Sequence, residues 1–168
     1  MPIEGIRVSR SLRKVLKESR ILSSDEAISE EDSGFSVTFD RDFEGVMRAC
    51  QRETEVWINE EIIRVWVLIH QEGWGHSCEV WQKGCLVGGV YGVAIGGCFC
   101  GESMFHRSSN ASKVALYHLV EHARHLGFEL FDAQFINEHT KSLGAYEISQ
   151  GEDLRQRRRV EHKTIVWR

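Results

Sequence analysis

Two places in the sequence set polar side chains into apolar text, where they could do chemistry, and a glycine-rich run lies around the first of them. Glu102 follows Gly101 inside FCGESMF (99–105). A carboxylate in such a run is paired, at a strand edge, or functional, because burying an unpartnered charge is costly. Asp132 and Gln134 stand two apart in FELFDAQF (128–135). On an extended strand they share a face with Leu130, while Phe131, Ala133 and Phe135 take the other. Such a pair could cap neighbouring backbone, or offer an acceptor and an orientable amide to a substrate amine; the residue types leave both open. Gly88, Gly89, Gly92, Gly96, Gly97 and Gly101 punctuate the run 87–105. They weaken strand propensity and mark either tight sheet curvature or bulges where a ligand approaches the backbone.

Two further groupings carry reactive residue types. Cys50, Cys78, Cys85, Cys98 and Cys100 are odd in number and contain no C-x-x-C pair. They read as reduced thiols packed as small hydrophobes; a nucleophilic thiol would need a histidine or a cation beside it to lower its pKa. His118, His122 and His125 are spaced i, i+4, i+7 on one helix. Lacking a matching cysteine or carboxylate motif, they read as solvent-facing polar residues rather than metal ligands, and neither metal nor cofactor is expected.

The elements that must position these residues follow from periodicity and caps. Ser9 starts a helix through Leu12, Val15 and Leu16, with Arg10, Lys14 and Lys17 on one face. Residues 22–34 lack periodicity and read as an acidic, mobile loop. A strand at Phe35–Phe39 precedes a helix started by Asp42, and a second helix runs from Glu60 to Gln71. Then His76–Gln82, Cys85–Ile95 and Cys98–Phe105, separated by Lys83-Gly84 and Gly96-Gly97, predict a three-stranded antiparallel meander. A helix over Ala111–Leu126 ends at Gly127. Phe128–Phe135 reads as a further strand, central because it is so apolar. A charged helix over Gly151–Arg159 and a short strand at Lys163–Trp167 complete the chain. The whole predicts one α+β domain over residues 1–168, with a central, mostly antiparallel sheet flanked by helices.

Composition narrows the function classes. The 168 residues are 42% hydrophobic and 27% charged, enough for a sizeable core. No apolar run reaches the ~18–20 residues of a membrane helix, and the N-terminus has no signal-peptide pattern. A soluble, cytoplasmic protein without membrane partners is expected. Net charge is −4, yet basic residues cluster at 7–20 and 155–163, so local fields rather than net charge would steer a polyanion.

The strings VSRSLRK (8–14), WI (57–58), HS-x-EVW (76–81), LVGGVYGVAIGG (86–97), FCGESMF (99–105), ASKVAL (111–116), FD-x-Q (131–134) and SLGA-x-EI (142–148) together resemble the C-terminal catalytic domain of leucyl/phenylalanyl-tRNA–protein transferases. The resemblance spans residues 6–154 in unbroken order. It implies a fold like that of the GNAT N-acetyltransferases and transfer of Leu or Phe, sometimes Met, from aminoacyl-tRNA to proteins with N-terminal Arg or Lys, marking them for degradation. It assigns Asp132 and Gln134 to orient and deprotonate the attacking amine and Glu102 to hold the reacting groups. Trp57 would hold the tRNA's terminal adenosine. Val90, Met104, Leu116, Leu119, Ala123 and Phe131 would line the pocket for the donor side chain. Arg10, Arg13, Lys14 and Lys17 would meet tRNA phosphates, and the enzyme would act as a monomer.

Family members carry a smaller N-terminal domain with a tryptophan-containing motif, which nothing in this sequence matches. The acidic insertion at 23–33 is also atypical. One rival reading is therefore a non-catalytic relative that binds tRNA or basic N-termini. Another is an acyl-CoA-dependent acetyltransferase of the same fold. The latter would want an R/Q-x-x-G-x-G/A phosphate-binding string ahead of the Ala111 helix, and none is present.

Overall fold

A computed structural model describes residues 3, 6–51, 57–134 and 136–168. Six strands form one sheet in the order β1-β2-β3-β4-β5-β6. They are β1 (Arg20–Ile21), β2 (Ser36–Phe39), β3 (Gly75–Gln82), β4 (Cys85–Ile95), β5 (Cys98–His106) and β6 (Leu130–Asp132). The inner pairings β2–β3, β3–β4 and β4–β5 are antiparallel, whereas β1–β2 and β5–β6 are parallel. Among the described residues six helices surround the sheet: α1 (Arg10–Glu18), α2 (Phe43–Ala49), α3 (Glu60–Gln71), α4 (Ala111–Leu126), α5 (Glu138–Ser142) and α6 (Gln150–Val160). The α+β expectation with a mostly antiparallel sheet holds.

Helix starts follow the capping residues. Ser9, Asp42 and Asn59 each accept a backbone N–H of the first turn, from Leu12, Gly45 and Ile62. Lys83 and Gly84 both have positive φ (52° and 74°), the backbone of a tight hairpin turn that matches strand twist. On one sheet face α4 buries Val114, Leu116, Leu119, Val120 and Ala123 against Val37, Val80, Val90 and Phe99. On the other, α2 and α3 bury Phe43, Val46, Met47 and Ile63 with Tyr91 and Phe105. Gly88 is required here: a Cβ would lie 2.5 Å from that of Ala111, where α4 enters the sheet. Among the described residues no helix is long and apolar enough to cross a membrane.

Several expectations need correction. The strand at 128–135 is short, Leu130–Asp132, and lies at the sheet edge, not its centre. Its apolar text reflects burial under α4 and α6 rather than strands on both sides. Residues 163–167 form no strand. Trp167 instead packs its ring against His76 (4.5 Å), His122 (4.8 Å) and Phe99 (5.2 Å). The acidic loop is pinned rather than loose. Asp32 and Ser33 carbonyls accept from Lys83 N–H (3.0 Å) and Gln82 Nε2 (2.7 Å), and Arg20 ion-pairs with Glu26. Strand β1 and helix α5 were not anticipated.

Candidate active site

The site lies where two neighbouring strands part. β5 and β6 are in register only through Cys98–Leu130, Phe99–Phe131 and Cys100–Asp132. Beyond this point β5 continues to His106 while β6 stops, and a wedge opens between them. At its mouth the β4–β5 ladder slips: Tyr91 pairs with Ser103, but Gly92 pairs with Gly101. Glu102 is thus the extra residue of a β-bulge, a device that bends a strand and re-aims a side chain. Gly92 permits it, since a Cβ there would stand 2.1 Å from the Cys100 carbonyl oxygen. The sequence expectation that glycine marks a bulge in this run is met at Gly92.

Glu102 faces a cavity of about 170 Å³. Val90, Met104, Leu116 and Phe131 supply its apolar wall, and Gln134, Asn137 and Thr140 its polar one. Asn137 and Thr140 are fixed by the capping box at the start of α5, in which each side chain accepts the other residue's N–H (2.9 and 3.0 Å). A cavity of about 150 Å³ takes one benzene ring, so this one matches a single large apolar side chain in scale.

A second cavity, about 490 Å³, opens on the other side of the β6 terminus. Asp132, Glu147, Asp153 and Arg157 line it, with Tyr146 and Ile148 as apolar flanks. The two cavities share Phe131, Ala133 and Gln134. Asp132 and Gln134 do not lie on one continuous strand, as periodicity suggested. Asp132 Oδ1 accepts the Gln134 backbone N–H (2.8 Å), and Gln134 turns out at φ 57°. A short side-chain acceptor closing on the backbone two residues ahead is the local bond that stops a strand. Asp132 Oδ2 accepts from Arg157 Nη2 at 2.5 Å. Arg157 Nε also donates to Asp153 Oδ2 (2.8 Å); this bond first, then those to Cys100 and Asp132, holds the guanidinium more firmly protonated than usual.

Of the residues singled out from sequence, Glu102, Gln134, Val90, Met104, Leu116 and Phe131 meet at the smaller cavity, and Asp132 at the larger. Leu119 and Ala123 line neither; they are enclosed in the core beneath. Trp57 lines neither and stands half exposed in the turn before α3, next to residues outside those described. Arg10, Arg13, Lys14 and Lys17 are exposed on α1, which docks on α4. Sequence reasoning did not single out Arg157, Asp153 and Glu147, which line the larger cavity. The available signals were Glu147 inside SLGA-x-EI and the i, i+4 spacing of Asp153 and Arg157 on a helix otherwise read as merely charged.

The histidine stripe is not solvent-facing throughout. His118 shares a hydrogen bond with Ser19 Oγ (3.0 Å), His122 stacks on Phe39 (4.2 Å), and only His125 is exposed. Burial depresses the His118 pKa to about 4. A different grouping, Asp40, His70 and His76, brings potential ligand atoms within 4.8 Å of one another. It is tied by hydrogen bonds: His76 faces Asp40 Oδ2 through Nδ1 (2.8 Å) and the Gly73 carbonyl through Nε2 (3.1 Å), and His70 Nδ1 faces the Gly75 carbonyl (2.7 Å). These bonds join β2, β3 and the end of α3.

Comparison with known proteins places this geometry. Among solved structures, an aminoglycoside N-acetyltransferase AAC(6')-Iy in complex with CoA superposes with a TM-score of 0.53 at 12% identity, over 73% of this chain and 95% of that one. A second structure of the same acetyltransferase, with a bisubstrate analogue, gives 0.52 at 13% identity, over 70% of this chain and 95% of that one. The likeness establishes the acetyltransferase-like fold. The family model for leucyl/phenylalanyl-tRNA protein transferase matches residues 1–157. The leucyl/phenylalanyl-tRNA–protein transferase of Paramagnetospirillum magneticum is 49% identical over 154 residues, covering 89% of this chain and 67% of the relative. That of Ruegeria pomeroyi is 46% identical over 159 residues, covering 95% and 69%. The chain thus spans about two thirds of the length of these relatives, and it belongs to the leucyl/phenylalanyl-tRNA–protein transferase family.

Proposed function

We propose that this chain transfers a leucyl or phenylalanyl group, and to a lesser extent methionyl, from charged tRNA to the N-terminal Arg or Lys of acceptor proteins, as a cytoplasmic monomer. The observation that carries the reading is the meeting of two cavities at Gln134. One is small, apolar and edged by Glu102; the other is wide and acidic. The donor side chain enters the first, against Val90, Met104, Leu116 and Phe131, with Glu102 holding the donor's amino group. The acceptor enters the second, where Glu147, beside the Arg157-paired Asp132 and Asp153, favours a cationic N-terminal residue. Trp57 and the basic face of α1 hold the tRNA, the latter through phosphates and without reading sequence.

In the reaction the acceptor's α-amine attacks the ester carbonyl carbon, the new C–N bond forms, and the tRNA terminal hydroxyl departs. The ester is already activated, so much of the acceleration comes from holding two substrates in line. Gln134 cannot take a proton but can orient the amine; Asp132, one bond behind it, fixes its backbone and is the nearer acceptor for the proton. Backbone N–H groups around the Glu102 bulge are suited to receive the oxyanion.

The test is transfer of radiolabelled leucine or phenylalanine from charged tRNA to peptides beginning with Arg or Lys, at low salt, for the parent, Glu102→Ala and Gln134→Ala. Transfer by the parent that both variants lose supports the reading. A folded parent that binds tRNA but transfers nothing, beside a working family member, would replace it with the non-catalytic binding module.

A further inference from the structure

At the wall of the larger cavity, with Cys98 in its lining and Cys100 buried beside it, lies a feature that aminoacyl transfer does not use. Cys98 and Cys100 are two apart on β5, so their side chains share a face, and their sulfurs lie 3.8 Å apart. Arg157 Nη1 is 3.7 Å from Cys100 Sγ, and Cys98 lines the cavity that opens to solvent. This is the cationic neighbour that a reactive thiol needs. We propose that Cys98 and Cys100 form an oxidant-responsive dithiol, in which a hydroperoxide oxidises Cys100 and Cys98 closes the disulfide.

The chemistry balances. The Cys100 thiolate attacks one peroxide oxygen; the S–O bond forms, the O–O bond breaks, and the alkoxide or hydroxide leaves and takes a proton from solvent. Sulfur is oxidised to the sulfenic acid by two electrons and the peroxide is reduced. The Cys98 sulfur then attacks Cys100, the S–O bond breaks, and the Cys98 proton leaves with the hydroxyl as water. The division of roles follows from the surroundings. The hydrogen bond shared with Cys98, then the Arg157 guanidinium, lowers the Cys100 thiol pKa, against burial and the Asp132 charge. The contact with Cys100 and burial push Cys98 up. Asp132 from β6 and Asp153 from α6 face the same guanidinium and are its other partners.

Geometry also sets the character of the bond. Residues i and i+2 on a strand are about 6.6 Å apart at Cα, near the upper end of the ~4.4–6.8 Å that disulfides tolerate. A bond closed there is strained and easily reduced, which is the behaviour of a reversible sensor rather than a structural staple.

The experiment uses the full chain carrying Cys85→Ser, which removes the exposed thiol. Graded hydrogen peroxide is followed by alkylation under denaturing conditions and peptide mass mapping. The expected product is one intramolecular Cys98–Cys100 bond, seen as loss of two hydrogens and reversed by dithiothreitol. Cys98→Ser should instead stop at a Cys100 sulfenic acid that dimedone traps. Arg157→Gln should slow the first step about threefold, a roughly tenfold loss of thiolate being partly offset by the greater nucleophilicity of the more basic sulfur. Circular dichroism confirms that each variant is folded. Two free thiols after peroxide treatment that oxidises a peptide thiol control would overturn the proposal, as would oxidation of Cys98 in preference to Cys100.

Discussion

Arg157 on α6 lies 2.5 Å from Asp132 Oδ2 at the end of β6, so the helix that covers the edge strand also clamps the carboxylate beside Gln134. The pair is about one-third exposed on each side, which limits its worth in stability to about 1 kcal/mol. Its larger effect is on position. With Arg157→Gln, Asp132 can leave the Gln134 N–H, and kcat for transfer is expected to fall about tenfold, ~1.4 kcal/mol, with little change in acceptor KM. Steady-state kinetics over a range of Arg-peptide concentrations check this. A rise in KM alone would mean that Arg157 acts on binding instead.

Gly92→Ala tests the bulge. The added methyl would sit 2.1 Å from backbone oxygen, so β4 and β5 must separate or the bulge must move. We expect destabilisation of roughly 1–3 kcal/mol, measured by urea denaturation, together with loss of transfer out of proportion to the folded fraction. Retention of full activity in the folded fraction would show that Glu102 does not depend on the bulge for its aim.

Glu79 is fully buried on β3 and accepts from Thr38 Oγ1 (2.6 Å), Ser77 Oγ and Arg41 N–H (3.3 Å). Desolvation outweighs these bonds and pushes its pKa up to about 7. The folded state therefore binds a proton that the unfolded chain has already released near its ordinary value of 4.5. Its stabilising contribution is full below that value and is lost as pH rises towards 7, by on the order of 3 kcal/mol. Denaturation midpoints of the parent, relative to Glu79→Gln, should fall across this window; parallel curves would refute the assignment.

On the proposed reading α1 acts on tRNA electrostatically. Lys14→Ala and Lys17→Ala are each expected to reduce the slope of log tRNA affinity against log salt by about one, uniformly across tRNA sequences. Filter binding at several salt concentrations reads it. Unchanged slopes would move the tRNA contact off α1.

The elements were legible from sequence wherever caps and periodicity agree. The bounds of α3, β4 and α4 follow from Asn59, from Lys83-Gly84 and Gly96-Gly97, and from Gly127. Residues that line the cavities were legible where local motifs carry them, as at Glu102, but the bulge that aims Glu102 was not. A bulge depends on which residue of β4 opposes it, and pairing register across strands is not a local property. The edge position of β6 was misread because burial by helices and burial by strands leave the same apolar text. Arg157 was missed because its partners Asp132 and Cys100 are 25 and 57 positions away in sequence. The three-histidine stripe was misjudged because Phe39, Ser19 and Trp167, which shelter it, come from remote segments.

The meeting of two separate cavities at one glutamine bears on the order of events. The cavities share only Phe131, Ala133 and Gln134 and are otherwise lined by different residues, so neither must empty for the other to fill. On the proposed assignment donor and acceptor can be resident together, and the amino acid would pass between them without first being parked on the protein. Double-reciprocal plots at several fixed acceptor concentrations should give intersecting lines, the signature of a ternary complex, whereas parallel lines would require a covalent way-station.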